Sequence, residues 1–266
     1  MPIESAAAYE KIQRLGSYVD HHEQRERLLR SGLRANVDKP AECAVMTGCN
    51  PLFSLTAVKS FLDLLQHFGV SYTFLSKEVC CGRPVREGMF YNEPADAGEK
   101  RRYDDFIRGS LLENVNQARE LGAKAIVDIC PGCDMTWNLY GASLGIDIVY
   151  YTEFLSGIYK KGRLDKKIDF YEGCHRVHKL SPDSLERGIG SAKELLSRIE
   201  GLKFNEISSD MCCRTVPRDI FAKCTTGTLV TPSQCCYSLL VTARPEKGPE
   251  VRFLGELLFE ALKPHA

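Results

Sequence analysis

The cysteines of this chain are grouped in a way that predicts metal ligation. Five of them occur in the first half, as a lone Cys49, an adjacent pair Cys80-Cys81 and a Cys130-Pro131-Gly132-Cys133 turn. Thiolates that are adjacent or two residues apart can converge on one soft metal centre, whereas such crowding gives disulfides poor geometry. We therefore interpret the chain first as a metalloprotein.

A second, altered set of cysteines follows in the other half of the chain. The shift that carries Glu153 onto Glu256 in two similar stretches also carries Cys133 onto Cys236, but it carries Cys130 onto Ser233. The neighbouring Cys235 could replace one ligand of a four-thiolate set or add a fifth. The predicted metal ligands of this half are Cys174, Cys212, Cys213, Cys235 and Cys236.

Two further cysteines, Cys43 and Cys224, match neither pattern. Free cysteine is among the most buried residue types and often serves only in packing. We expect a packing role for both, with Cys224 also available for recruitment to the altered site.

Composition excludes several classes of protein. With 266 residues the chain can form a core without disulfides, so twelve cysteines indicate ligation rather than a secreted scaffold. Lys plus Arg and Asp plus Glu both number 35, which gives no support for nucleic-acid binding. The sequence has neither a signal-peptide pattern nor a transmembrane run, and no nucleotide-binding glycine motif, so we expect a cytoplasmic protein.

Alternating strand-like and helix-like runs predict an α/β fold. We expect two pseudo-symmetric open parallel-sheet halves of Rossmann-like type with crossover helices, preceded by an N-terminal helical arm. The predicted strands are 44–46, 72–75, 125–129, 146–151, 168–171, 203–207, 228–231 and 251–254. The predicted helices are 55–67, 100–121, 135–140, 153–159, 184–199 and 256–262. Several cysteines then lie where a strand ends and a helix can begin, the usual place for ligands in open α/β sheets.

We predict three segments: a helical arm at 1–41, a first cysteine-rich domain at 42–163 and a second, altered one at 164–266. The arm has a thin apolar stripe ended by Ser31-Gly32 and is expected to lack a core. It is either a docking arm for a partner subunit or a solvated surface helix. The stripe consists of Ile12, Leu15, Leu28 and Leu29.

Basic residues follow three of the cysteine turns. They neutralise a bound cluster, receive an anionic thiol substrate, or are ordinary solvated loop charges. His175 adjoins Cys174 and is expected to act beside the ligands rather than as one of them. The residues are Arg83, Arg86, His175, Arg176, His178, Lys179, Arg214 and Arg218.

The duplicated pattern of a lone cysteine, Cys-Cys and Cys-x-x-Cys resembles the CCG (cysteine-rich) domain, used twice in the B-type subunits of heterodisulfide reductases. The resemblance covers about residues 42–262 and is most specific at Cys80-Cys81-Gly82 and 130–133. In the second half Arg214 replaces the glycine after Cys213, and the last motif is Ser233-Gln-Cys-Cys.

This resemblance implies a noncubane [4Fe-4S] cluster on the complete motif, and disulfide chemistry by successive one-electron steps. The implied ligands are Cys49, Cys80, Cys81, Cys130 and Cys133, with no catalytic residue beyond them; a four-thiolate zinc site would leave one over. The second half would hold another iron-sulfur cluster or zinc. We expect an oxidoreductase acting on a small thiol, disulfide or carrier-bound sulfur, with cubane-cluster and flavoprotein partner subunits.

Two alternatives remain open at this stage. One is an electron-transfer or quinone-coupling subunit of a dehydrogenase complex. The other is a structural module in which the second site holds zinc and the first relays electrons.

Overall fold

The computed structural model describes residues 4–20, 24–49, 55–91 and 96–264. Within them lie two four-stranded parallel sheets flanked by helices, with strand orders β2-β1-β3-β4 and β6-β5-β7-β8. The strands are β1 (Cys43–Met46), β2 (Tyr72–Phe74), β3 (Ala125–Asp128), β4 (Asp147–Tyr150), β5 (Gly162–Tyr171), β6 (Ile199–Ile207), β7 (Thr228–Thr231) and β8 (Glu250–Phe253).

This architecture confirms the predicted α/β class with two parallel sheets and an N-terminal helix. In each sheet the chain adds its second strand on one side of the first and its third strand on the other. The carboxyl ends of β1 and β3, and likewise of β5 and β7, therefore flank a topological switch point. Ligands of open α/β sheets bind at such points.

The chain forms two compact units, Met1–Leu52 with Ser71–Val149, and Phe53–Val70 with Tyr150–Ala266. The predicted boundaries at 42–163 and 164–266 remain a prediction; helix Leu55–His67, which lies inside the first predicted segment, belongs to the second unit. Helices of the first unit are α1 (Ser5–Leu15), α2 (Arg25–Arg27, continued by a π turn Leu28–Gly32), α4 (Arg83–Tyr91), α5 (Ala97–Glu120) and α6 (Pro131–Tyr140). Those of the second are α3 (Leu55–His67), α7 (Tyr151–Ile158), α8 (His175–Leu180), α9 (Pro182–Ser197), α10 (Pro217–Ala222), α11 (Gln234–Ala243) and α12 (Leu254–Glu260).

Three of the strands that carry cysteine turns are buried on both faces. Every residue of β1, β2 and β7 is buried, which explains their continuous runs without polar alternation. Four helices, α4, α8, α10 and α11, are absent from the sequence prediction, because each begins at or within a few residues of a cysteine turn, where the chain resembles a loop. Strand β5 starts earlier than predicted, since pairing with β6 extends it back to Gly162.

The N-terminal segment differs from the expected coreless arm. Ile12 and Leu29 are 1% and 0% exposed, and α1 packs against α4 of the first unit. Leu15 and Leu28 are half-buried. The segment therefore contributes to the core of the first unit, although a role in docking a partner remains a prediction.

Candidate metal centre

All twelve cysteines are free thiols. In the first unit, Cys49 follows β1, the Cys80-Cys81 pair follows β2, and Cys130 and Cys133 follow β3. Three neighbouring parallel strands thus deliver sulfur atoms to the same edge of their sheet. This edge contains the topological switch point, where open α/β sheets bind their ligands.

The five side chains form one continuous chain of thiol contacts. Hydrogen bonds join Cys49 to Cys80, Cys80 to Cys81, Cys81 to Cys133, and Cys133 to Cys130. The pKa of Cys80 is raised by its bonds to Cys49 and Cys81 and by burial, whereas the pKa of Cys81 is lowered well below its usual range by bonds from Cys133 and Cys80. Four of the thiols are buried, and Cys49 is half-buried.

Gly48 brings the first and third cysteine turns together. Its φ of +68° is a left-handed conformation, and a Cβ there would lie 2.9 Å from Cys133 Sγ and 3.1 Å from Cys130 Cβ. The backbone before Cys49 can approach the Cys130–Cys133 turn this closely only because residue 48 has no side chain.

A buried carboxyl group, that of Asp128, lies at the end of β3 next to these sulfurs. Asp128 is fully buried, and its Oδ1 accepts the backbone N–H of Cys130 at 2.8 Å. Burial, with Cys130 and Asp134 nearby, raises the pKa of this carboxyl well above its usual range. A backbone hydrogen bond has the opposite effect on a neighbouring thiol: the N–H of Arg83 donates to Cys81 and lowers its pKa.

Sequence reasoning missed the residues that support the turns around these cysteines. Arg25 and Glu78 form a buried ion pair, Ser17 donates to Cys49, and the Asn114 amide holds the backbone of Val79. Of these four side chains, only that of Glu78 belongs to a residue near a cysteine motif, two positions before Cys80. Nothing local distinguishes Ser17, Arg25 or Asn114, because their partners are distant in the sequence.

In the second unit, four cysteines form a comparable set. Hydrogen bonds join Cys212 to Cys213, Cys213 to Cys236, and Cys236 to Cys174. The bond from Cys213 and the backbone N–H groups after it lower the pKa of Cys212 to about 4 against the effect of burial. This set occupies the carboxyl ends of β5, β6 and β7, as the first set does in its own sheet.

The position equivalent to Cys130 shows how this second site is altered. Ser233 caps α11, and its Oγ accepts the backbone N–H of Cys236 at 3.5 Å. Cys235 lies half-buried on the same helix and donates its Sγ–H to Gln234 Oε1 at 3.4 Å. A ligand role for Cys235 remains a prediction.

Cys43 and Cys224 have local backbone partners. Cys43 donates to the carbonyl of Ser71 at 3.4 Å, and burial raises its pKa to about 11. Cys224 donates to the carbonyl of Ile220 at 3.5 Å, and burial raises its pKa to about 12. Both arrangements favour the packing role.

The basic residues fall into different surroundings. Arg83 forms an ion pair with buried Glu87 at 3.0 Å and lies against Gly132, where an added Cβ would be 2.4 Å from its Cδ. Arg86 lies over the ring of Tyr140. Lys179, Arg214 and Arg218 are exposed. The side chains of His175, Arg176 and His178 lie outside the described residues.

Across residues 4–20, 24–49, 55–91 and 96–264, no three Cys, His, Asp or Glu side chains are arranged to hold a single metal ion. The sulfurs nonetheless contact one another through hydrogen bonds, whereas the ligands of a bound metal are all deprotonated thiolates. The candidate centre therefore depends on these contacts and not on a preformed ion shell. Among the same residues, no helix has the length and apolar character needed to cross a membrane.

The fold and the five-cysteine arrangement agree with a family comparison. Residues 43–138 match the family described as Cysteine-rich domain, CCG. The chain therefore carries a CCG cysteine-rich domain, which confirms the resemblance inferred from its motifs. The match covers the complete first motif, and a second CCG domain at 164–266 remains a prediction.

Three curated proteins show which sequences this chain resembles. It is 25% identical over 198 residues to the D-type subunit of the dihydromethanophenazine:CoB--CoM heterodisulfide reductase of Methanosarcina mazei, covering 66% of this chain and 44% of that protein. The corresponding protein of Methanosarcina acetivorans is 26% identical over 212 residues, 72% of this chain and 47% of that protein. An uncharacterized iron-sulfur protein of Methanococcus maripaludis is 27% identical over 178 residues, 64% of this chain and 31% of that protein. The chain spans less than half the length of these relatives.

Proposed function

We propose that this chain is an iron-sulfur redox subunit of a heterodisulfide reductase-like complex. A noncubane [4Fe-4S] cluster would be held by Cys49, Cys80, Cys81, Cys130 and Cys133. The observation that carries the proposal is the contiguous set of five thiols at three strand ends, within the segment that matches the CCG family. One tetrahedral zinc ion takes four thiolates, whereas five soft donors suit a multinuclear iron-sulfur centre.

The proposed reaction reduces a small disulfide, RSSR′ + 2e⁻ + 2H⁺ → RSH + R′SH, or runs in reverse from two thiols, one of which can be a carrier-bound thiol. The cluster supplies one-electron transfer when bound. The electrons come from, or return to, partner subunits of the cubane-cluster and flavoprotein classes. The residues of this chain bury four of the sulfurs from water and leave Cys49 the most accessible.

We further propose that Cys174, Cys212, Cys213 and Cys236 hold a second centre, either another iron-sulfur cluster or zinc. Four thiolates match a tetrahedral ion or a simpler cluster, and Ser233 stands where a fifth sulfur is found in the first unit. Twelve free thiols also favour a reducing compartment, and we propose the cytoplasm.

The test is anaerobic purification followed by iron, sulfide and zinc analysis, with EPR spectra before and after addition of a disulfide or thiol. We expect the Cys81→Ser variant to lose the iron of the first unit, because Cys81 joins the two halves of the sulfur chain. Cys224→Ser is the matched control and should keep it, because Cys224 bonds to its own helix.

Two results would contradict the proposal. Full iron content and an unchanged spectrum in Cys81→Ser would remove the ligand assignment. An EPR spectrum that does not change when disulfide or thiol is added would instead favour the electron-transfer or quinone-coupling alternative.

A further inference from the structure

We infer that the N-terminal segment closes the candidate cluster site, with Ser17 tuning the sulfur of Cys49 and Arg25 positioning the turn that carries it. The part concerning Ser17 rests on the proposed function, since it concerns a ligand of the cluster. The part concerning Arg25 rests on the protein alone.

Ser17 is placed to donate its hydroxyl hydrogen to the sulfur. Its Oγ lies 3.5 Å from Cys49 Sγ, and the residue is only 2% exposed. The backbone N–H of Val19 donates to the same oxygen at 3.2 Å. Because this bond occupies an acceptor position, the single hydroxyl hydrogen remains available for Cys49.

The backbone next to Ser17 is fastened to the second strand end. The carbonyl of Gly16 accepts the N–H of Cys80 at 2.8 Å. Residues 16–19 therefore contact the cysteine turns after both β1 and β2. Ser17, Val19, Arg25, Cys49 and Cys80 line one small cavity there.

Arg25 links the same two turns from inside the protein. It is 1% exposed, and its guanidinium donates to the carbonyl of Leu75 at 2.8 Å, to Thr47 Oγ1 at 2.6 Å and to Glu78. The two carboxylate oxygens of Glu78 accept the N–H groups of Thr47, at 3.0 Å, and Gly48, at 2.6 Å. This ion pair thus fixes the backbone immediately before Cys49.

A hydrogen bond to a ligand sulfur stabilises the more negative, reduced state of an iron-sulfur centre and raises its reduction potential. Removing the Ser17 hydroxyl should therefore make reduction harder without removing a ligand. Removing Arg25 should loosen the Thr47–Cys49 turn whether or not a metal is bound.

The first measurement is an EPR-monitored redox titration of full-length Ser17→Ala, with dithionite as reductant and iron and sulfide content determined in parallel. At a potential that half-reduces the wild-type centre, the ratio of reduced to oxidised centre should fall about three- to tenfold, as expected for loss of one bond to a charged sulfur. Ser17→Thr keeps the hydroxyl and should titrate like the wild type. Equal ratios in Ser17→Ala and wild type, at equal iron content, would overturn the role of Ser17.

The second measurement is hydrogen-deuterium exchange of the metal-free full chain in Arg25→Met, with exposed Arg27→Met in the same helix as control. Exchange should quicken at 47–49 in the first variant only. If Arg25→Met fails to fold, Arg25→Met/Glu78→Gln replaces it; the amide NH2 group that takes the place of one carboxylate oxygen cannot accept an N–H, so the same result is expected. Unchanged exchange would overturn the role of Arg25. A wild type without iron would overturn the proposed function, and with it the tuning by Ser17, but not the role of Arg25.

Discussion

At Gly48 a left-handed backbone conformation lies directly beside the candidate ligands. An alanine there would adopt an unfavourable left-handed conformation and bring its Cβ to 2.9 Å from Cys133 Sγ. The cysteines supply the candidate sulfur ligands. The absence of a side chain at residue 48 allows the turn at Cys49 to pack closely against the turn at 130–133. The consequence can be tested by substitution.

We expect Gly48→Ala to lower the free energy of unfolding by about 1–3 kcal/mol and to reduce the iron content. Chemical denaturation and metal analysis provide the measurements. Gly190→Ala is the control: Gly190 lies within α9, and nothing lies within 4 Å of an added Cβ. It should leave iron unchanged and stability equal or slightly higher. Normal iron in Gly48→Ala would argue against close packing of the two turns.

At the scale of elements, helix α5 supports the Cys80-Cys81 turn. The Asn114 side chain accepts the N–H of Val79 and donates to its carbonyl, both at 2.8 Å, and is fully buried. One amide thus replaces the strand partner that the backbone lacks just beyond the end of β2. The long helix thereby fixes the position of the backbone that leads into the cysteine pair.

Replacing Asn114 by leucine should destabilise the protein by about 2–4 kcal/mol, because two buried backbone groups lose their partners. We also expect weaker retention of iron during dialysis against a chelator. Asn116→Leu changes an exposed residue of the same helix and should have little effect on either property. Comparable losses in both variants would mean that α5 acts through general stability and not through Val79.

At the scale of the whole molecule, two sheets of the same strand order each gather cysteines at the same strand ends. The sets differ in content, with five thiols in contact in the first unit and four in the second. Each set lies within its own compact unit. The two candidate centres should therefore respond separately to mutation.

Cys133→Ser should remove the metal of the first unit alone, and Cys236→Ser that of the second. Iron and zinc analysis of the two variants beside the wild type tests this expectation and shows which metal each set binds. Loss of both centres in either variant would contradict independent sites.

The sequence alone determined the alternation of strands and helices and the placement of cysteines just beyond strand ends. Both are local properties, since periodicity and turn residues depend on neighbours along the chain. It could not reveal helix α4, which begins directly after Cys80-Cys81-Gly82 and resembles an extension of that loop.

Only the tertiary structure decided how the cysteine turns are held. Arg25 reaches Glu78 and Thr47, Ser17 reaches Cys49, and Asn114 reaches Val79, all across long stretches of chain. No local pattern distinguishes these residues from solvated surface polar residues. Burial makes them specific, because a polar group removed from water must find a partner, and folding alone determines which one it finds.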